Sequence, residues 1–303
     1  MVLLARKKVI QCVLETTKGT KIAGTQAIRV FDPIIKPTST FEERRGNGTR
    51  IGIEDAGVLS ERSGQLTFSS ELCATGTNGL EAGLAILLQC CGFLKSSESY
   101  TFPTSSTANQ KTASFDVYED GVKKGLAGAM GTLEITAETG KRCMLNFEFS
   151  GIWQTPTDSA LPSESVSGKT PMLFQGGSFK IGSATKKISR LTLNCGQTLV
   201  PEWDPNATGG ISTYLITDAT PEISFDLEAE TVASYDINGI WLAGTTAAIE
   251  FSLTDGSDTI TFSLPKVRYK DIPEGDRDGI LTYDAVGEVI NNAGDNAITI
   301  TVT

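Results

Sequence analysis

The sequence contains no histidine. That removes the commonest general base, the commonest metal ligand and the side chain that ordinarily titrates near neutrality. Ser-His-Asp and Cys-His catalysis are therefore impossible within this chain. Six cysteines stand at 12, 73, 90, 91, 143 and 195, and none has the C-x-x-C spacing that a zinc site uses. The vicinal pair Cys90-Cys91 lies in an apolar run and reads as buried thiol, not as a redox centre; reduced cysteines and cytoplasmic assembly are expected. The longest apolar run, "GLAILLQCCGFL" from Gly83, falls short of the ~18 residues that a membrane span needs. In "MVLLARKKVIQC" the charges follow the apolar patch, the reverse of a secretory leader, so neither export by that route nor an anchor is expected. Basic residues are also outnumbered: 26 Lys and Arg against 36 Asp and Glu give a formal net charge of −10. That balance opposes a surface that grips phosphates, but not one that nucleic acid slides past.

What the sequence has in plenty is β-forming segments. "VIQCVLET", "QLTFSSEL", "ASFDVYEDG", "GTLEITAETG", "CMLNFEFSG", "ISRLTLNCG", "EISFDLEA", "AIEFSLTDG", "TITFSLPKVRY" and "AITITVT" alternate or carry β-branched residues between turn signals. Tight hairpins are predicted at "YEDGVKK" (118–124), "AETGK" (137–141) and "DGSD" (255–258). One segment breaks the pattern. "TNGLEAGLAILLQCCGF" places Leu80, Leu84, Leu87, Leu88 and Cys91 on one helical face, with Asn78 as cap and Gly92 as stop. The 303 residues suit two domains at ~100–200 residues each. The Pro/Ser/Thr/Gly-rich stretch 154–177 is the best boundary, giving domains 1–155 and 178–303 with a linker at 156–177. The halves echo one another: "GQLTFSSELCATGTNGLEAGLAIL" and "PEISFDLEAETVASYDINGIWLAGTTAAI" each run strand, polar spacer, Asn-Gly, apolar stretch. A duplicated β fold is expected.

Candidate chemistry is thin. "GLAGAMG" (125–131) has the spacing of a phosphate cradle, but it lies between strand signals and lacks a following helix and a Walker lysine. Glycine inside a strand marks a bulge or a close backbone approach instead. "EGDRDGILTYDA" (274–285) has a calcium-loop outline without the final bidentate Glu or flanking helices, and reads better as a solvated turn. Trp153, Trp203 and Trp241 are scattered, as expected of core or interface aromatics rather than a sugar platform. No catalytic, cofactor or metal residue is assigned.

In the first half "LETTKGT", "GLAILLQCCGF", "YTFPTSS" and the run "VYEDGVKKGLAGAMGTLEITAETGKRCMLNFEFSGIW" follow in order, and in the second half "ISRLTLNCG", "DGILTYD" and "GDNAITITV". Through these segments the chain resembles the major tail tube protein of long-tailed bacteriophages. The resemblance implies a β-sandwich or barrel-like fold flanked by a helix, with neighbouring sheets joined into an inner barrel and rings stacked into a tube. It places the long loop at residues 32–50, with a second-half counterpart at 202–210. Inter-ring or intersubunit contact is then expected at Asp32, Pro33, Phe41, Glu42, Glu43, Arg44, Arg45 and Arg50, and at Gly125, Gly128 and Gly131 of the glycine strand. Gly128→Arg is expected to block assembly more than folding.

A duplicated chain implies rings of three copies with pseudo-sixfold symmetry, or six copies with the second half outside. The implied partners are further copies, the tape-measure, tail terminator and tail tip proteins, and transiently DNA; no cofactor and no membrane are implied. The location implied is the virion tail. The competing reading is a secreted carbohydrate-binding or adhesin β-protein, which would be a monomer with exposed aromatics.

Overall fold

The computed structural model describes residues 3–4, 6–48, 55–76, 79–163 and 170–303. All ten expected strand segments are strands, and the described residues are mainly antiparallel β with two short helices. In the first half the hydrogen-bonded order is Lys8–Leu14, Ala113–Glu119, Gly121–Glu138, Met144–Ser159, Ser63–Glu71, Phe31–Pro37. In the second half it is Leu173–Ile181, Thr246–Thr254, Thr259–Asp271, Ile280–Val289, Glu222–Glu228, Ile188–Asn194. The two orders correspond strand for strand. Both outer strands carry a bulge at the same place, between Phe31 and Ile34 and between Ile188 and Leu191. A helix follows the fifth strand of each order, Ala82–Cys90 after Ser63–Glu71 and Ile237–Ala243 after Glu222–Glu228.

Alternation explains why these segments are strands. Leu145, Phe147 and Phe149 point inward while Asn146 and Glu148 point out, the pattern of a sheet with one dry face. Phe149 meets Phe115 with ring centroids 4.7 Å apart and Phe68 at 5.9 Å. The second half is filled likewise, Phe179 on Phe225 at 5.1 Å and Phe251 on Phe262 at 4.5 Å. It closes on itself where the Lys186 amide donates to the Phe179 carbonyl at 2.9 Å.

The halves are not separate bodies. The end of Gly121–Glu138 pairs with Ile188–Asn194, from Glu134 opposite Asn194 to Glu138 opposite Arg190. The last strand, Ile298–Val302, pairs with Ser99–Phe102 of the first half. Buried side chains of both halves form one continuous core. Strand Met144–Ser159 runs into the stretch expected as linker, and the next strand begins at Leu173.

The first helix is shorter than its periodicity suggests. Leu84, Leu87 and Leu88 are its buried face, while Leu80 lies before it, bridged to Ala74. Gly92, at φ +85°, follows it as expected of a stop signal; Asn78 lies outside the described residues. The calcium-like segment is two strands, Glu274–Arg277 and Ile280–Val289, joined by Asp278 at φ +53° and Gly279 at φ +85°, the two-residue Asp-Gly hairpin turn.

Candidate assembly surfaces

One polar face crosses both halves without interruption. Because sheet partners stand opposite one another, a single row runs Ser69, Asn146, Glu134, Asn194, Glu222, Glu288, Arg268 over seven strands. Its members hold each other: Ser69 Oγ donates to Asn146 at 2.8 Å, Asn146 Nδ2 to Glu134 at 3.2 Å, and Arg268 pairs with Glu288; beside the row, Lys270 Nζ lies 2.7 Å from Glu222. Outward positions of these strands carry Glu134, Glu138, Glu148, Glu222, Asp226, Glu228, Asp284 and Glu288, against Lys36, Arg190, Arg268, Lys270 and Arg277. Glu71, at the end of the face, is answered by Arg29 and Arg142. The face is acidic on balance.

Asp226 is the best-held carboxylate on it. Burial pushes its pKa up, but the Ser189 hydroxyl, the amides of Arg190 and Ser189 and the Arg277 guanidinium outweigh that and hold it below its ordinary 3.8. Arg277 also pairs with Glu228, so one cluster ties the bulge of Ile188–Asn194 to the hairpin at 274–289.

The second-half loop expected at 202–210 is the tip of a long hairpin, Gln197–Trp203 with Ile211–Ala219. It folds back over the first half, where Ile211, Tyr214 and Ile216 bury against Met130 and Ile152. Beneath it lies the glycine segment, inside strand Gly121–Glu138, with a bulge between Ala127 and Met130. Gly128 has φ +57°, and a Cβ there would stand 3.0 Å from the Gly19 Cα and 3.2 Å from the Thr213 Cα. Its amide donates to the buried Glu15 carboxylate at 2.8 Å, which also accepts from the Gly19 amide at 2.8 Å, Thr112 Oγ1 at 2.7 Å and Ser114 Oγ at 2.7 Å. A Cβ at Gly131 would sit 2.6 Å from the Phe149 ring, and Gly125 is buried in the same strand. The described packing around Gly128 is therefore within one chain, so Gly128→Arg is expected to strike folding as well as any contact between copies.

Among the described residues the first-half loop forms an arm of two short paired strands, Phe41–Glu42 and Val58–Leu59, whose base meets the hairpin tip where the Arg62 amide donates to the Gly209 carbonyl at 3.1 Å. Phe41 pairs with Leu59 and Glu42 with Val58, Arg45 lies 2.8 Å from Glu43 and Arg44 3.7 Å from Asp55. Phe41 is 67% exposed, Val58 55% and Leu59 41%. Asp32, at φ +49°, and Pro33 lie at the arm's root in strand Phe31–Pro37, where the Pro33 carbonyl accepts from Lys8 Nζ at 3.1 Å. Arg50 lies outside the described residues. Phe41 to Arg45 are thus brought together, and they are separate from the buried glycines.

The sequence model of a family described as phage tail tube protein matches residues 6–303. The chain belongs to the phage tail tube protein family. A search of curated proteins returns no match. Membership gives this tail tube chain a structural role, as a component of the virion tail that assembles with its own kind and with other tail proteins. A structural family points away from an enzyme, and no helix among the described residues is long and apolar enough to cross a membrane.

In this tail tube chain all six cysteines are free and buried. Burial pushes Cys12, Cys73 and Cys143 up to about 12 and raises Cys90, Cys91 and Cys195 as well. Several surface residues escape a reading of the sequence. Val58 and Leu59 complete the arm, and Ile280 and Leu281 are 49% and 51% exposed beside a sheet edge. Their signal is an apolar pair next to a turn, "GVL" and "DGIL", which is too common to single out. Trp153 packs on the core and Trp203 is 63% exposed near the hairpin tip, while Trp241 Nε1 donates to the Lys270 carbonyl at 3.1 Å.

Proposed function

We propose that three copies of this chain close into a ring, each supplying two quasi-equivalent halves, and that rings stack into the tube through which phage DNA leaves the virion. The observation that carries this reading is the in-chain junction at Glu134–Glu138 and Arg190–Asn194, where two like-ordered halves already share one sheet. Division of the chain into two duplicated domains, meeting between strands Met144–Ser159 and Leu173–Ile181, is part of the proposal.

Each half offers four strands to the polar face, so three chains make a barrel of twenty-four. At about 4.8 Å per strand and a tilt of about 40°, such a barrel is roughly 50 Å across between backbones, wide enough for a DNA duplex. A closed barrel leaves no open strand edges in the bore, and an acidic lining repels phosphates, so DNA passes without sticking. Assembly takes place in the host cytoplasm, where the thiols stay reduced, around a tape-measure protein and between a tip and a terminator protein. Cryo-EM of assembled tubes tests the reading. Three chains and twenty-four inner strands per ring are expected; six chains per ring, or a bore lined mainly by Lys and Arg, overturns it.

A further inference from the structure

Within the chain, the second half docks on the first through three contacts. Strand Ile188–Asn194 extends the sheet at Glu134–Glu138. Met172 and the start of strand Leu173–Ile181 cap the sheet just before strand Met144–Ser159, with the Cys143 amide donating to the Met172 carbonyl at 2.9 Å and the Phe174 amide to the Lys141 carbonyl at 2.9 Å. The hairpin 197–219 fills the groove at Met130 and Ile152.

Shared register identifies the matching places on the second half. Ile152 pairs with Ala127 and Ser63 as Glu288 pairs with Arg268 and Glu222. Carried along the same ladders, Gly275 and Arg277 stand where Glu134 and Thr136 do, and Leu281 stands where Leu145 does. Among the described residues, Glu274–Arg277 pairs with Ile280–Tyr283 alone and its other edge is open. Leu145 is buried but Leu281 is 51% exposed. The groove by Pro221, Lys270, Glu288, Val289 and Ile290 is open.

The first half carries the complementary parts, and among the described residues no strand pairs with the outer edge of Phe31–Pro37. Strand Phe31–Pro37 is the counterpart of Ile188–Asn194: Pro37 faces Gly64 as Leu193 faces Ile223. Leu3 and Leu4, just upstream of the first barrel strand, are 48% and 54% exposed, and the arm bears Phe41, Val58 and Leu59.

We propose that the next chain's first half docks on this chain's second half by repeating the in-chain junction. Its strand Phe31–Pro37 runs antiparallel to Glu274–Arg277, Lys36 opposite Arg277; its Leu3–Leu4 segment covers Leu281; its arm lies in the groove at Val289 and Ile290. The inference rests on the three-copy ring reading and assigns the surfaces that close it.

The hydrogen-bonding pattern of the edge fits this occupant. The Thr38 amide donates inward to the Ser63 carbonyl at 3.0 Å, so in the alternation of the strand the amide of Ile35 faces the open edge and Pro37 has none to offer. An edge with a missing donor resists indiscriminate sheet extension, while the apolar arm and N-terminal segment select a copy of this chain. Lys36 meets an Arg277 whose charge Asp226 and Glu228 already answer.

Oxidative crosslinking of assembled tubes tests the assignment, since the native thiols are buried. The double variant Lys36→Cys with Arg277→Cys is expected to yield covalent trimers on denaturing gels, and an equimolar mix of the two single variants covalent dimers. The pair Leu4→Cys with Leu281→Cys reads the same junction without touching the Arg277 cluster. Normal tubes with neither pair crosslinked overturn these surfaces and leave the ring reading standing. Wild-type tubes with six chains per ring overturn both.

Discussion

Glu15 is a buried carboxylate with no ion-pair partner among the described residues. It is held by four donors, two of them backbone amides, from three separated stretches of chain. Charge-assisted hydrogen bonds of this kind are about twice as strong as neutral ones, and removing the acceptor leaves several donors dry. Glu15→Ala is expected to cost about 3 kcal/mol, read as a shift of the urea midpoint at constant slope. Glu15→Gln should recover little, because its amide nitrogen would face donors. Gly128 lies on the same network, and any side chain there needs an αL backbone and room that Gly19 and Thr213 already occupy. Gly128→Ala is expected to cost roughly 1–3 kcal/mol, and Gly128→Arg to give insoluble protein. Soluble, folded Gly128→Arg chains that fail only to form tubes would show that the close packing yields. The six thiols, by contrast, hold no polar site together. Buried and raised in pKa, they are expected to react with a thiol reagent at neutral pH only after denaturant is added; fast labelling of the native chain would contradict their burial.

At the scale of elements, Asp226 links three: its own strand, the bulge of Ile188–Asn194 and the hairpin that starts at Glu274. Its folded pKa lies below its ordinary 3.8, so its contribution is fully present above about that pH and is lost as pH falls through the folded value. The urea midpoint should fall on acidification into this range, with amide exchange at 274–281 accelerating. In Asp226→Asn the stability at neutral pH should be lower and the acid loss shallower; an unchanged acid slope would move the pH dependence to another carboxylate.

The strands legible in the sequence are those whose inner face repeats every second residue, such as Leu145, Phe147 and Phe149. Those missed break that rule for physical reasons. In Leu173–Ile181 the pair Gly176-Gly177 reads as loop, yet a Cβ at Gly177 would stand 1.9 Å from the Ser252 carbonyl oxygen, so the glycine is a packing requirement. In Ile280–Val289 the first two apolar residues are both exposed, which hides the alternation. The arm of the candidate site was legible as a charged loop between strands, but its apolar half at Val58 and Leu59 pairs across a loop, and no local pattern marks that contact.

For the whole molecule, the distribution of apolar surface says what the charge says. Leu3, Leu4, Phe41, Ile280 and Leu281 are 48–67% exposed, and covering what remains open of each is worth roughly 1 kcal/mol; in the proposed ring that gain would favour closure. The acidic face contributes little to closure, since its charges are spaced along a polar sheet and answered in part by lysine and arginine. In the proposed ring its effect would fall on what passes through the bore. Reversing charge at Glu134 and Glu148, which accept hydrogen bonds from Asn146 and Gln65 across the sheet and form no ion pair among the described residues, should therefore leave assembly intact. Tubes of Glu134→Lys with Glu148→Lys are expected to retain short duplex DNA at low salt and to release it as salt rises, because each neutralised phosphate adds to the counterion term. Wild-type tubes should retain none at the same ionic strength. Equal retention by both would mean that the polar face does not line the bore; altered tubes of normal shape that bind DNA only when charge is reversed would place these strands along its path.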